Sequence, residues 1–463
     1  MKRKNIVTSC LIISLFIASF CIILSNSFSS NQNITKDEEL IGTYIDGEYS
    51  ENIPNKDTGY VVEKIVCDNN AVGKWDYDNW GITLTNLSEK NKCNIYFKKG
   101  VKLADTINLV DTTGKCPTVN EDGTVNVTSA ESENSLLCSA PDNYGNSYYY
   151  RGNVTNNYVK FGKWSTNAPT VIYGYYLTYY KEYDSIEQCK AATSFNQNCT
   201  EISNAGKDMY WRIVRINGDE SIRLIYDGTT AHKNGETSED RIVGKSAFNV
   251  NYNDNAYIGY MYGSAASSTY EDTHANINDS TLKKYVDDWY AINIENTNYE
   301  KYIADNVFCN DRTISETSSK NGFSTEETVY NYGTSYTISK NSLKCYSKND
   351  AFTISDDVGN KKLKYGVGII TTGEAIVAGA FESENPKLYL NSGIWYWTLS
   401  PIQYTVNGFA GGGTYIRDIY LDGRGNFGGK VDDESGGVKP VINLKPNSLT
   451  SGDGTINNPY TVE

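Results

Sequence analysis

Gly393-Ile394-Trp395-Tyr396-Trp397-Thr398-Leu399-Ser400-Pro401 and Gly437-Val438-Lys439-Pro440-Val441-Ile442-Asn443-Leu444 are two apolar runs, and the stretch between them, 402–436, is polar and rich in glycine. Strand residues alternate faces, so Trp395 and Trp397 fall on one side and Tyr396 on the other, while Val438, Val441, Ile442 and Leu444 form a mostly buried return strand. Two buried edges then hold out one polar surface. The expected core is Trp395, Trp397, Pro401, Val438 and Pro440, joined by Trp211 and Trp289 from earlier in the chain. The insert carries Tyr404, Asn407, Phe409, Tyr415, Arg417, Tyr420, Arg424 and Asn426. Tyr, Arg and Asn combine large contact area with adaptable hydrogen bonding, so these eight are the candidate ligand-binding residues of a variable polar loop region.

The chain has 463 residues, a length that suggests about three domains. A net charge of −14 argues against nucleic acid or anionic lipid as the main partner, because both need a basic footprint. With two histidines in the whole chain, side chains suited to proton transfer near neutral pH are scarce. At the N-terminus Lys2, Arg3 and Lys4 precede an apolar run over 6–24, which reads as a signal peptide or uncleaved signal anchor (1–27) followed by a polar tether (28–40). Positive charge before that run places everything after it outside the cell, either secreted or held at the extracellular face of the membrane through the uncleaved helix.

Cysteine usage agrees with export. Cys67, Cys93, Cys116, Cys138, Cys189, Cys199, Cys309 and Cys345 fall as neighbours within separate stretches, so pairing in sequence order is expected among the 105 pairings that eight cysteines allow. None has the CxxC spacing of a zinc or redox site.

Along the chain, 41–100 reads as a small disulfide-stapled β domain whose Trp75 and Trp80 serve as core. Residues 101–147 read as a connector with a hairpin at Asp122-Gly123. A large α+β, mostly β domain over 148–463 starts with a strand at 158–164. Its partner is 209–216, continuing through Asn217-Gly218-Asp219 into 221–226. The stretch 165–208 is an insertion with its own helix (186–192, Asp184 as N-cap). Leu282, Tyr285, Val286 and Trp289 recur at helical spacing and predict a helix over 280–291 that packs on a sheet. A second short helix is expected after Thr372 with Glu374 in its first turn, a loop over 315–342, and a turn then a strand at 449–463.

Catalytic signals are weak. Gly423-Arg424-Gly425-Asn426-Phe427-Gly428 spells GxGxxG, but no helix follows to receive phosphates, so a glycine-rich turn is expected and no organic cofactor. His232 and His274 have no ligand-like spacing and read as locally hydrogen-bonded. The oxygen-rich stretches at Asn253-Asp254-Asn255 and 276–279 are candidates for a structural calcium.

Four pieces in order resemble something known: Tyr210-Trp211-Arg212-Ile213-Val214, the helix at 280–290, Gly368-Ile369-Ile370-Thr371-Thr372-Gly373-Glu374, and the frame from Trp397-Thr398-Leu399-Ser400-Pro401 to 437–444. This set is similar to an uncharacterised module of secreted and surface proteins of Gram-positive gut bacteria. More distantly, it resembles the C-type-lectin-like fold of formylglycine-generating enzymes and retroelement-diversified binding proteins. The resemblance implies that fold for the large domain, and a non-catalytic surface protein that recognises an extracellular protein or glycan or serves in adhesion. It departs at Lys439, where Arg is expected and a point charge replaces a planar fork. The alternatives are an oxidase of the formylglycine-generating type, using Cys309 with Cys345, and a passive wall or stalk component. Fold resemblance carries no activity across by itself.

Overall fold

A computed structural model describes residues 41–76, 80–86, 91–106, 116–127, 135–176, 179–192, 198–316, 318, 321–333, 341–380, 384–407, 412–425, 428–446 and 448–462. The expected signal segment and tether lie outside these residues. The chain divides into two compact units, 1–100 and 101–463.

In the first unit the strands Glu48–Ser50, Ile41–Ile45, Cys93–Lys99 and Tyr60–Cys67 form a sheet in that order. The central strand alternates, burying Cys93, Ile95 and Phe97 on one face. A ribbon of Val72–Asp76 and Gly81–Thr85 brings Trp75 and Trp80 to Phe97, with ring centroids 5.1 and 6.3 Å away. A core this small gains from a covalent staple, and Cys67 is joined to Cys93 directly opposite it across the strands.

The second unit is built around β1 (Tyr158–Lys163), β2 (Asp208–Ile216), β3 (Ile222–Gly228), α1 (Thr281–Asn293), α2 (Thr372–Ala378), β4 (Tyr396–Thr405), β5 (Gly413–Ile419) and β6 (Val441–Leu444). One sheet runs Val367–Gly368, β6, β3, β2, β1, Tyr460–Val462, Leu449–Ser451, Val101–Lys102. A second runs Gly244–Lys245, Gly437–Val438, β4, β5, Gly429–Lys430, with Thr328–Val329 also pairing with β4. Seven consecutive residues of β3 are buried, as are most of β2, so both faces of these strands are covered. α1 covers part of one: Ser280 caps it by accepting from Lys283 N at 3.1 Å, and its Trp289 meets Trp211 edge to face at 6.2 Å. α2 opens with a capping box, Thr371 with Glu374, and ends at Gly379, whose φ of 114° suits glycine.

Among the described residues four disulfides join sequence neighbours: Cys67–Cys93, Cys116–Cys138, Cys189–Cys199 and Cys309–Cys345. Within 165–208, a three-stranded sheet and the helix Ile186–Ala191 are tied by Cys189–Cys199. Its cap is Ser185, accepting from Gln188 N at 3.1 Å, and not Asp184, which sits one residue too early to reach that amide.

Three further expectations need correction. Residues 101–147 do not stand apart as a connector: Ser135–Pro141 pairs with Asn146–Gly152, and that strand pairs with β2, so the stretch belongs to the large unit. The segment 315–342 is not all loop, since Thr328 and Val329 pair with Tyr404 and Gln403. Trp395 lies before the strand and is only half-buried, packed edge to face on Trp397 at 5.0 Å, while Trp397, Pro401, Val438 and Pro440 are core.

Candidate functional site

The framed insert is half sheet. β4 and β5 form an antiparallel hairpin with Gln403 opposite Tyr415 and Tyr404 opposite Thr414. Ile416, Ile419 and Val431 are buried in the core, so the stretch is not the wholly solvated loop region its polarity suggests. Tyr404 is 5% exposed, because pairing on both sides, with Thr414 and Thr328, seats its ring in the sheet. It is therefore withdrawn from the binding set. Asn407 is exposed, while Tyr415, Tyr420 and Arg424 are half-buried. Phe409 and Asn426 lie outside the described residues, as does the side chain of Arg417, whose backbone belongs to β5.

These survivors do not converge. Tyr415 lies toward the hairpin end and Tyr420 past the far end of β5, about 17 Å on at ordinary strand rise. Beyond β5 the chain turns on itself: Tyr420 N donates to Arg424 O at 2.9 Å, and Arg424 pairs with Asp422 at 3.2 Å and lies over the Tyr420 ring. That turn leads into the GxGxxG stretch at Gly423, and among the described residues no helix follows it.

At the hairpin end a continuous surface does form, from segments far apart in sequence. Val250, Asn251, Tyr252 and Asn253 are all exposed. Thr414 Oγ1 holds this segment to β5, donating toward Tyr252 O (2.9 Å) and Asp254 O (3.0 Å). Lys430 stands opposite Tyr415 and places its Nζ 3.5 Å from the Tyr252 ring centroid, covering one face of the ring. Val406 and Asn407 adjoin, with Val406 N donating to Glu327 at 3.2 Å. Val250 (59% exposed), Val406 (47%) and Tyr252 (40%) are the exposed apolar side chains of these segments, accompanied by the amides of Asn251, Asn253 and Asn407 and the opposite charges of Lys430 and Glu327. No signal in the sequence joins 250–253 to 405–415, because only tertiary pairing does.

The other sheet, at β2 and β3, buries two charge centres that strand alternation would have placed in solvent. In the first, Arg215 and Arg223 stand opposite each other on β2 and β3, and both reach Glu374 Oε1, at 3.0 and 2.6 Å. Arg215 also pairs with Asp142 at 2.6 Å. Burial alone would raise the Glu374 carboxyl, but the two guanidiniums hold it below its usual range. A cavity of ≈ 20 Å³ borders this centre, lined in part by Arg223, Tyr144, Asn306 and Cys309, with room for about one water. Cys309 is disulfide-bonded there.

In the second centre Asp227, 2% exposed, meets Arg241 at 2.7 Å, Lys439 at 3.3 Å and Arg212 at 3.8 Å. Arg212 spreads its charge over Val154 O (2.6 Å), Asn157 (2.7 Å), Asn234 (2.9 Å) and the Tyr158 ring. Lys439 gives Asp227 one hydrogen bond from its point charge and lies 5.1 Å from the Tyr396 ring centroid, while the two-nitrogen contact to Asp227 comes from Arg241. Burial, aided by the neighbouring arginines and opposed by Asp227, pushes the Lys439 amine down to about 8.

The oxygen-rich stretches spend their side chains on the chain itself. Asp254 accepts from Ala256 N and Ala266 N, Asn255 donates to three carbonyls between 323 and 326, and Asn276 Oδ1 accepts from Arg312. Among the described residues no group of acidic, histidine or cysteine side chains is arranged to hold a metal ion, and no helix is long and apolar enough to cross a membrane. Compared with protein families, curated proteins and solved structures, the chain matches none.

Proposed function

We infer that this is an exported cell-surface recognition or adhesion protein, anchored or released at its N-terminal apolar segment, whose large unit is C-type-lectin-like. It engages an extracellular protein or glycan through the hairpin-end surface of Tyr252, Val406, Asn407, Tyr415 and Lys430. The observation that carries this reading is the exposed Tyr252 segment, with its flanking valine and asparagines, fixed to β5 by the Thr414 hydroxyl. Rigid aromatic and amide groups on a preorganised base are what recognition surfaces use. Four disulfides support an oxidising compartment.

The test is a glycan and surface-protein array probed with the purified protein, followed by the combined variant Tyr252→Ala, Val406→Ser, Asn407→Ala. These side chains are exposed, so the melting temperature is expected to stay within about 2 °C of the parent while binding is lost. Normal binding by this variant, with loss instead in Tyr420→Ala, Arg424→Ala, would move the site to the far turn.

A further inference from the structure

A groove of ≈ 410 Å³ lies apart from the hairpin-end surface and shares no residue with it. One wall is Glu201, Ile202, Ser203 and Lys207, at the end of the insertion; the other is Thr229, Thr230, His232 and 238–240, from the two ends of the loop that follows β3. At the base of that loop sits His232, with its side chain 8% exposed. Its ring fits because residue 228 is glycine: a Cβ there would lie 2.8 Å from His232 Cδ2, and the φ of 130° already favours glycine.

Both ring nitrogens face carboxylates. Nδ1 is 3.2 Å from Glu236 Oε1, and Nε2 is 3.0 Å from Asp240 Oδ1. A neutral imidazole has one N–H and so can donate to only one of them; the imidazolium donates to both. The two carboxylates are held unequally. Asp240 also accepts from Thr229 N and Oγ1, each at 2.8 Å, and from Ser238 Oγ. Glu236, 48% exposed at its side chain, otherwise accepts from Lys233 N alone among the described residues.

We propose that His232 is a pH-operated latch on this wall of the groove: protonated, it clamps 232–236 against Asp240, and deprotonated, it releases Glu236 and lets the segment loosen. The charged groups around it favour the closed, protonated state. Burial would lower the imidazole, but Asp240 and Glu236, and the charge of Asp227 on β3, raise it above its ordinary value. Arg241 acts in the other sense and also ties the loop backbone, donating to Glu236 O, while Tyr158 on β1 donates to His232 O at 2.7 Å. Because the folded value is raised, the latch contributes its full stability below the unfolded value of about 6.5, and that contribution is lost as pH rises through the folded value. The loop is therefore tighter in acid, and the groove wall yields in base.

With two histidines in the chain the experiment is simple to read. His274 is buried, donates from Nε2 to Gly322 O at 2.9 Å, and is pushed well below the usual range by burial, so it stays neutral. Imidazole ¹⁵N spectra of the full chain are expected to show one histidine titrating, with a midpoint above about 6.5. Amide exchange across 229–240, corrected for intrinsic rate, is expected to lose protection by about fivefold or more between about pH 5.5 and about pH 8.5. In His232→Gln that pH dependence disappears, and in Glu236→Gln, which keeps Asp240 and its supports, the midpoint falls. Protection that is the same at both pH values, or a drop that survives in His232→Gln, would overturn the latch.

Discussion

The two buried charge centres sit on the same pair of strands and solve one problem differently. Around Glu374 the account is balanced: Arg215 and Arg223 share Glu374, and Asp142 takes the second bond of Arg215. Around Asp227 three cations share one carboxylate, and the surplus is spread over carbonyls, amides and a tyrosine face. The lesson is that a buried positive charge does not require its own anion when carbonyls, amides and a ring face take up much of it, as around Arg212. It follows that the two centres depend very unequally on a single carboxylate.

The largest effect is expected for Asp227→Asn. Three cations then lose their only shared anion, and the protein is destabilised by about 3–5 kcal/mol in denaturant titration, enough to prevent folding at growth temperature. A variant as stable as the parent would show that the dispersed acceptors suffice alone. Glu374→Gln is expected to cost less, about 2–3 kcal/mol, because Arg215 keeps Asp142 and Arg223 keeps Val307 O at 3.1 Å. A larger loss than for Asp227→Asn would reverse the contrast.

The third prediction uses pH. With a folded value of about 8, Lys439 is neutral above that pH while the unfolded chain still binds the proton up to about 10.4. The unfolded state then holds more protons, so this residue makes stability rise with pH between those limits, by an amount on the order of 1–3 kcal/mol. Lys439→Met is expected to lack that rise when both proteins are unfolded in urea at about pH 7.5 and about pH 9.5. Parallel curves would mean that Lys439 stays charged. The smallest effect is Lys439→Met at neutral pH, expected to be neutral or stabilising by up to about 1 kcal/mol, since it removes a surplus cation and leaves Arg241 on Asp227.

Much of the secondary structure could be read from sequence because periodicity and caps are local. The spacing of Leu282, Val286 and Trp289 and the cap at Ser280 lie within one helix, and the disulfides close short stretches. The charge centres could not be read that way. Arg212, Arg215, Arg223 and Asp227 look like the outward residues of a one-sided sheet, and only cover on both faces of β2 and β3 makes them interior. Tyr404 fails for the same reason, and Tyr252 is missed for the opposite one: its neighbours on the hairpin are supplied by folding, not by adjacency in the chain.

The edge of the large sheet bears on modularity. Val101 pairs with Thr450, and Ser451 with Thr461, so the first and last strands of the large unit lie two ladders apart on one edge. A body whose entrance and exit are neighbours behaves as a bead: it can be spliced into a surface loop of another protein, or strung in tandem, without stretching the host chain. Tension applied across its two ends would load the short pairing of Val101–Lys102 with Leu449–Ser451.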